Sequence, residues 1–472
     1  MKKTRIALHW QILFALLASV VYGILFPSAY KVTDRSLKSI VTTYKDTIVI
    51  DQLTLIKGTT FNTLSEFDIV LKSKLNHEDY MKSRKEIIKN AYYNPAIKVV
   101  YWMGIIFLRL LKMIVIPLIL TSIISGILSI GSGRNLGRLA LKTVFYYMST
   151  SILALLTGLF FANILKPGMN YQNMLTEFEP DLSIQHKTLG DIFIGIVPDN
   201  IFKSLVDNEL LSVILIALLT GIFIIQLGQG SRKFLTNMFA SLFELCIKIT
   251  MFIIKLAPFG VFGLVAKTIA DQDNLSLLFN NLGIFLLSVS AALAVHALVL
   301  LPSIMYFLLK INPIKHFSNM LPALLTAFST ASSAATLPLT LDNVKNKSGV
   351  SDKMANFTLP IGATVNMDGT AIYIAAVVLF ISQAAGMHMG FKEQVIILIA
   401  SLLASIGTAA IPMGSMVIIT IVLDIFGLPF EMIALVLPVD RILDMLRTSV
   451  NIWSDSCGAV IVAKTEGETL KV

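Results

Sequence analysis

Apolar runs of membrane-spanning length recur along this chain, and few folds can accommodate them. The hydrocarbon core of a bilayer takes about 20 consecutive apolar residues in helical form. Such runs fall at about 6–26, 98–129, 136–165, 190–228, 234–270 and 282–310, and further apolar stretches continue beyond 313. Lipid offers no partner to backbone N–H and C=O groups, so only helices or closed barrels span it. Long unbroken runs argue for helices. Of 472 residues, 55% are hydrophobic and 14% are charged, with mean hydropathy +0.77. Soluble chains carry about 25% charged residues. A disordered chain, a secreted disulfide scaffold and an ordinary cytosolic enzyme are excluded, and an all-α polytopic membrane protein is expected.

The charge pattern orients the runs. Lys2, Lys3 and Arg5 precede the first. That run is long for a signal peptide and lacks a small-x-small exit, so it reads as a first transmembrane helix starting inside the cell. Arg134, Arg138 and Lys142 mark one connection, Arg232 with Lys233 a second, and Lys310 with Lys315 a third. By the positive-inside rule these are cytoplasmic. The connections at 166–189 and 271–281 then lie outside. The net charge of +9, 38 basic against 29 acidic residues, follows from such loops. No basic stripe is interleaved with aromatics, which argues against nucleic-acid binding. Cys246 and Cys457 lack metal-ligand spacing and read as buried free thiols.

One stretch, 27–96, looks soluble, with 11 basic and 8 acidic residues. Residues 47–56 alternate and suggest strands, whereas 78–90 look helical. A small extracytoplasmic insertion is expected. Long loops translocate regardless of charge.

Beyond 313 the apolar segments are interrupted by small polar clusters. Ala334-Ala335-Thr336-Leu337-Pro338 and Thr408-Ala409-Ala410-Ile411-Pro412 share a shape, and each precedes an aspartate cluster, around Asp368 and Asp444. A weak internal repeat with paired interrupted segments points to a transporter site near the bilayer midplane. The two clusters suit re-entrant tips, where small residues let backbones approach and helix N-termini can face a carboxylate. Small-residue helix packing is the plainer alternative.

Asp440, Asp444, Arg447, Thr448, Asn451 and Asp455 fall within about 100° of one helical face, at about 100° per residue. Arg441 lies at its margin. A charge at mid-membrane costs about 2.5–3.5 kcal/mol. Such groups normally face a bundle interior and mark a substrate or ion path. Upstream, Asn366-Met367-Asp368-Gly369-Thr370 interrupts another apolar stretch and suggests a broken helix. Unwound backbone is tolerated at that depth only when it lines a cavity or is buried in protein. Its carbonyls, with Asn366 and Asp368, can replace the water of a hard cation such as sodium. His296, in Ala-Val-His-Ala-Leu, reads as a satisfied packing histidine, and Gly131-Ser132-Gly133 as a loop.

These residues resemble the sodium-coupled glutamate/aspartate transporter family, the dicarboxylate/amino acid:cation symporters. Asn366-Met367-Asp368-Gly369-Thr370 is similar to its seventh-helix motif, and Ser332-Ser333-Ala334-Ala335-Thr336-Leu337-Pro338 to its first hairpin tip. The stretch from Gly407 to Pro412 resembles its second tip, and Asp444-Met445-Leu446-Arg447-Thr448-Ser449-Val450-Asn451 with Asp455 its eighth helix. Phe107-Leu108-Arg109-Leu110-Leu111-Lys112-Met113 resembles its second helix, and Tyr146-Tyr147 with Thr150-Ser151 its third. Only about 28–96 has no counterpart.

The resemblance implies eight transmembrane helices, two re-entrant helical hairpins and inverted repeats. It also implies a homotrimer in the plasma membrane with both termini cytoplasmic. A static scaffold would hold the first helix (1–27), the second (97–130), and helices four and five (168–270), with the insertion at 28–96. An elevator-like transport domain would hold the third helix (131–167) and 271–472, with hairpins at about 315–345 and 392–427. By the same resemblance, Arg447 would hold a substrate side-chain carboxylate and Asp444 its amino group. Thr370, Asn451, Ser333, Ile411 and Thr448 would complete the pocket. Sodium ions, as co-transported cargo, would take three ligand groups. One is Gly362, Asn366, Asn451 and Asp455; another is Tyr147, Thr150, Ser151, Asn366 and Asp368; the third is backbone near Thr364, Ser405, Ile406 and Thr408.

A guanidinium fork suits a carboxylate and an acid suits an ammonium, so sodium-driven symport of L-aspartate or L-glutamate is expected, not enzymatic turnover. A dicarboxylate or neutral amino-acid carrier of the same fold, and an ion channel, stay open. There are departures. The positions where family members carry a second arginine are Ala331 and Met445 here. Ile374 stands where potassium-countertransporting relatives have glutamate, which predicts no coupled proton.

Overall fold

The structure, a computed structural model, describes residues 8–34, 36–38, 40, 47–129, 134–169, 194–207, 209–272, 274–406, 414–428 and 430–472. Among these, five helical stretches are long and apolar enough to cross a membrane: Pro95–Leu128, Arg138–Leu165, Gln229–Lys255, Leu275–Leu309 and Asp352–Ala384. Trp10–Leu25, Ser212–Gln226 and Ala257–Ala270 are shorter apolar helices. Side chains such as Phe145, Phe223, Phe234, Phe252 and Phe307 stand exposed on the outside, as a lipid solvent permits. The chain is a largely helical, polytopic membrane protein.

The first half begins with α1 (Leu8–Leu25). After the insertion come α5 (Pro95–Ser129), α6 (Arg134–Leu165), α7 (Ile201–Val206), α8 (Leu210–Gln226), α9 (Gln229–Lys255) and α10 (Ala257–Ala270). Helix α5 packs against α8, α9 and α10, and α10 against α1. Glycine permits the closest of these approaches. A Cβ on Gly263 would lie 2.5 Å from the Val100 carbonyl oxygen of α5.

The second half runs through α11 (Leu275–Val295), a π-helical turn His296–Leu300, α12 (Leu301–Leu309), α13 (Pro313–Thr330) and α14 (Ser333–Asp342). It continues with α15 (Asp352–Val365), α16 (Asp368–Ala384), α17 (Phe391–Ile406), α18 (Gly414–Ile425) and α19 (Leu437–Thr465). Helix α19 lies at its centre, against α13, α15 and α16. Two breaks match the polar interruptions. Between α13 and α14, Ala331 adopts a left-handed conformation (φ 48°) and Ser332 caps the next helix through Ala335 N. Between α15 and α16, Asn366 (ψ 86°) and Met367 (ψ 52°) leave helical geometry. The second cluster of small residues falls at 407–413, outside the described residues.

The insertion departs from expectation in two ways. It adds a three-stranded antiparallel sheet, β1 (Ala29–Lys31), β2 (Thr60–Phe61) and β3 (Tyr92–Tyr93), ordered β2-β1-β3, so the chain is not all-α. Residues expected as strands at 47–56 form helix α2 (Thr47–Leu55) instead. Val49, Leu53 and Ile56 are buried and Leu55 is exposed. Spacing of four and three residues is a helical stripe, which the alternation concealed. With α3 (Leu64–Lys74) and α4 (His77–Ala91) it builds a core around Phe61, Phe67 and Ile87. The insertion is tied to the end of α10. Ser28 Oγ and Tyr92 OH both donate to Asp271 Oδ1, at 2.5 and 3.0 Å, and Lys267 pairs with the same aspartate.

Candidate functional site

Helix α19 brings its polar face into the protein interior. Asp440, Asp444, Arg447, Thr448, Asn451 and Asp455 are all buried. In its first three turns stands a four-charge cluster. Arg447 Nη2 donates to Asp440 Oδ1 (3.1 Å) and Asp444 Oδ1 (2.9 Å), and Arg441 Nη1 donates to Asp444 Oδ2 (3.1 Å). Arg447 Nη1 donates to Ser415 Oγ of α18 at 2.8 Å. The guanidinium lies 3.7 Å from the ring centroid of Tyr373 on α16, a cation–π distance. Among the described residues, Arg447 Nε, Arg441 Nε and Asp440 Oδ2 are buried without a hydrogen-bond partner. An unmet donor beside a buried guanidinium is a place for an incoming acceptor.

One to two turns further on, the side chains change to hydroxyls, amides and acids. Asp368, at the start of α16, is fully buried. Its Oδ1 accepts from Ser151 Oγ (2.7 Å), and its Oδ2 from Ser454 Oγ (2.6 Å). His296 Nε2 lies 3.0 Å from the same Oδ2. Asn366, freed by the break between α15 and α16, donates through Nδ2 to Ser454 Oγ and Asp455 Oδ1, both at 2.9 Å. Its Oδ1 accepts from Thr150 Oγ1 at 3.3 Å. Tyr147 OH donates to the Thr358 carbonyl, and a Cβ on Gly362 would lie 2.7 Å from both Tyr147 Oη and Asp455 Oδ1. Among the described residues, neither Asp368 nor Asp455 pairs with a lysine or arginine. Buried carboxylates normally require a counter-charge.

Asn451 joins the two regions. Its Oδ1 accepts from Gly369 N (2.8 Å), and its Nδ2 donates to Thr370 Oγ1 and Met367 Sδ (both 3.3 Å). Thr448 Oγ1 turns back to the Asp444 carbonyl and Thr364 Oγ1 to that of Ile361. Ser333 is buried in the first turn of α14. Ser405 and Ile406 close α17, while Thr408 and Ile411 lie outside the described residues.

His296 is fully buried, as a packing histidine would be, but its ring faces a carboxylate, and among the described residues its Nδ1 has no partner. Asp440, on the polar face, and Arg441, at its margin, join the site as that face suggests, and Tyr373, Ser415 and Ser454 join it unforeseen. Tyr373 sits one helical turn after Thr370, a spacing that could have marked it.

Buried ion pairs at the heart of a many-helix membrane protein, beside an oxygen-rich nest at a broken helix, define a membrane protein that carries solute and cation. Comparison with known proteins gives the family. The model of the Sodium:dicarboxylate symporter family matches residues 8–465, and the chain belongs to that family. A "Proton/sodium-glutamate symport protein" of Geobacillus stearothermophilus is 33% identical over 386 residues, 80% of this chain and 90% of that protein. An "Excitatory amino acid transporter" of Caenorhabditis elegans is 32% identical over 403 residues, 76% of this chain and 80% of its own. "Excitatory amino acid transporter 3" of Mus musculus is 30% identical over 419 residues, covering 78% and 79%.

Proposed function

We propose that this protein is a secondary active transporter that couples sodium entry to symport of an acidic amino acid, L-aspartate or L-glutamate. The carrying observation is the unequal charge of the two neighbouring regions. Among the described residues, Arg447 keeps an unmet Nε donor, whereas Asp368 and Asp455 are buried and pair with no lysine or arginine. A carboxylate on Arg447 and sodium among the Asp368, Asp455, Asn366, Thr150, Ser151, Tyr147 and Gly362 oxygens would complete both. Asp444 would meet the ammonium group, with Thr370, Asn451, Thr448, Ser333 and Ile411 around the remaining atoms. Backbone near Thr364, Ser405, Ile406 and Thr408 would form a further sodium site. The relatives named above support this substrate class.

The working cycle is an elevator in a homotrimer, with α6 and 271–472 moving against the rest and both termini cytoplasmic. Sodium and substrate stabilise the same closed state, so each raises the other's affinity. Substrate leaves chemically unchanged. The absence of an acid at Ile374 favours sodium alone over a coupled proton, although the Geobacillus relative's name carries both ions.

A plain dicarboxylate is the second reading, favoured by one contact: both oxygens of Asp444 are held by arginines. Labelled aspartate uptake into proteoliposomes, with sodium, proton and potassium gradients varied separately and succinate as competitor, tests both. Sodium-dependent, saturable uptake that succinate fails to inhibit supports the proposal. Uptake driven by the proton gradient alone, or ion current without saturable uptake, overturns it.

A further inference from the structure

Among the described residues, two histidines of the second half are fully buried, and they differ in kind. His316 on α13 has both ring nitrogens partnered, Nδ1 with Ser348 Oγ (2.9 Å) and Nε2 with Ser456 Oγ (3.2 Å), and its ring packs on Trp453. That is a histidine satisfied by packing. His296 has one nitrogen on the Asp368 carboxylate and the other, Nδ1, buried with no partner among the described residues. An unmet buried acceptor costs about 1–3 kcal/mol, which a filler residue has no reason to carry.

The backbone makes a matching exception. His296 opens the π-helical turn His296–Leu300 between α11 and α12. Such turns are rare and gather at functional sites. This one is pinned from α19, where the indole N–H of Trp453 donates to the Ala297 carbonyl at 2.9 Å. The next residue on α19, Ser454, donates to Asp368 Oδ2. One turn of α19 therefore holds both the histidine's backbone and the carboxylate the histidine faces.

We propose that His296 is a positioning residue of the cation site, which orients the Asp368 carboxylate and thereby sets the protein's affinity for sodium. The inference rests on the sodium-symport reading. An ionised carboxylate is an acceptor only, with about four lone-pair directions, so Nε2 carries the shared hydrogen. Ser151, Ser454 and His296 occupy three of those directions. The remaining one is left for a cation, at a carboxylate that cannot rotate to present another. Groups that fix a metal ligand from behind typically govern about 10–100-fold of its affinity.

The test is sodium activation of labelled aspartate uptake in proteoliposomes by wild type, H296A and H296Q. The half-saturating sodium concentration of H296A is expected to rise about tenfold, while KM for aspartate at saturating sodium stays within about twofold. H296Q keeps an N–H at the Nε2 position and should return to within about threefold of wild type. Sodium titrations of the melting temperature in detergent report the same affinity without transport. If H296A does not fold, H296N, whose shorter amide falls short of Asp368, carries the same expectation. An unchanged sodium requirement in H296A or H296N, or a rise that H296Q shares in full, overturns the proposal while wild-type uptake still depends on sodium. Wild-type uptake indifferent to sodium overturns the transport reading first, and this inference with it.

Discussion

Arg441 Nη1 lies 3.1 Å from Asp444 Oδ2, three residues further along the same helix. Oδ1 of that carboxylate is held by Arg447 Nη2 at 2.9 Å. Two acids and two arginines thus balance within the first turns of α19, although the positions expected to carry a second arginine, Ala331 and Met445, are neutral. On the proposed reading, a substrate ammonium would compete with Arg441 for Asp444. Arg441→Gln removes the competitor and leaves the cluster one negative charge in excess. The KM for aspartate should fall about threefold to tenfold, the net scale of one hydrogen bond. Inhibition by succinate, which has no ammonium, should weaken. Parallel aspartate and succinate affinities in the variant would sink the argument.

Arg447 is the least replaceable member. Its Nη atoms make three hydrogen bonds, to Asp440, Asp444 and Ser415, and its plane stacks on Tyr373. Arg447→Gln strands buried Asp440 and leaves Asp444 to Arg441 alone, at a cost of about 3–5 kcal/mol. Uptake of acidic substrates should drop by at least about a hundredfold. The double variant Arg447→Gln with Asp440→Asn should recover melting temperature without recovering uptake. High-affinity aspartate uptake in Arg447→Gln would refute the assigned role.

The charged face of α19 was legible because six polar residues at helical spacing inside an apolar run have no cheap alternative to a buried site. The break at Asn366 and Met367 was legible for a similar reason, since polar and glycine residues interrupted the apolar pattern. His296 was not, because a single polar residue in an apolar helix looks the same whether its ring meets a serine or an aspartate 72 positions away. Tyr373 and Ser415 were hidden likewise, being ordinary helix residues until tertiary packing brings them to Arg447. The insertion misled at Thr47–Leu55, where a short apolar run fits both periodicities and only the buried set of Val49, Leu53 and Ile56 decides between them.

Gly369 shows how tightly the two motifs are pressed together. A Cβ there would lie 2.5 Å from the Arg447 carbonyl oxygen and 2.9 Å from its Cα. Both are backbone atoms of α19, so no side chain can swing aside. Gly369→Ala must push α16 and α19 apart, at a cost of about 1–3 kcal/mol. It should lower both the melting temperature and aspartate uptake. Gly283 on α11 is the control, because a Cβ there meets nothing within 4 Å. Gly283→Ala should be neutral, or stabilise by up to about 1 kcal/mol through helix propensity. Equal tolerance of both substitutions would contradict the packing described.

The insertion carries its own acid-sensitive lock. Asp68 on α3 accepts from Tyr80 OH (2.8 Å) and Arg84 Nε (2.8 Å) of α4, and pairs with Lys72 at 3.3 Å. Burial pushes its carboxyl up, but the bonds from Arg84 and Tyr80 and the charges of Arg84 and Lys72 more than reverse this. It is therefore held below the ordinary value of 3.8. A depressed folded value means the stabilisation is complete above the unfolded pKa and is lost as pH falls through the folded one. Wild type should therefore melt above Asp68→Asn at pH 6, and the gap should close as pH falls below about 4. Helices α3 and α4 should become open to protease over the same acid range in wild type. A gap that stays constant from pH 6 to pH 3 would show that the carboxylate's charge contributes nothing to holding these two helices together.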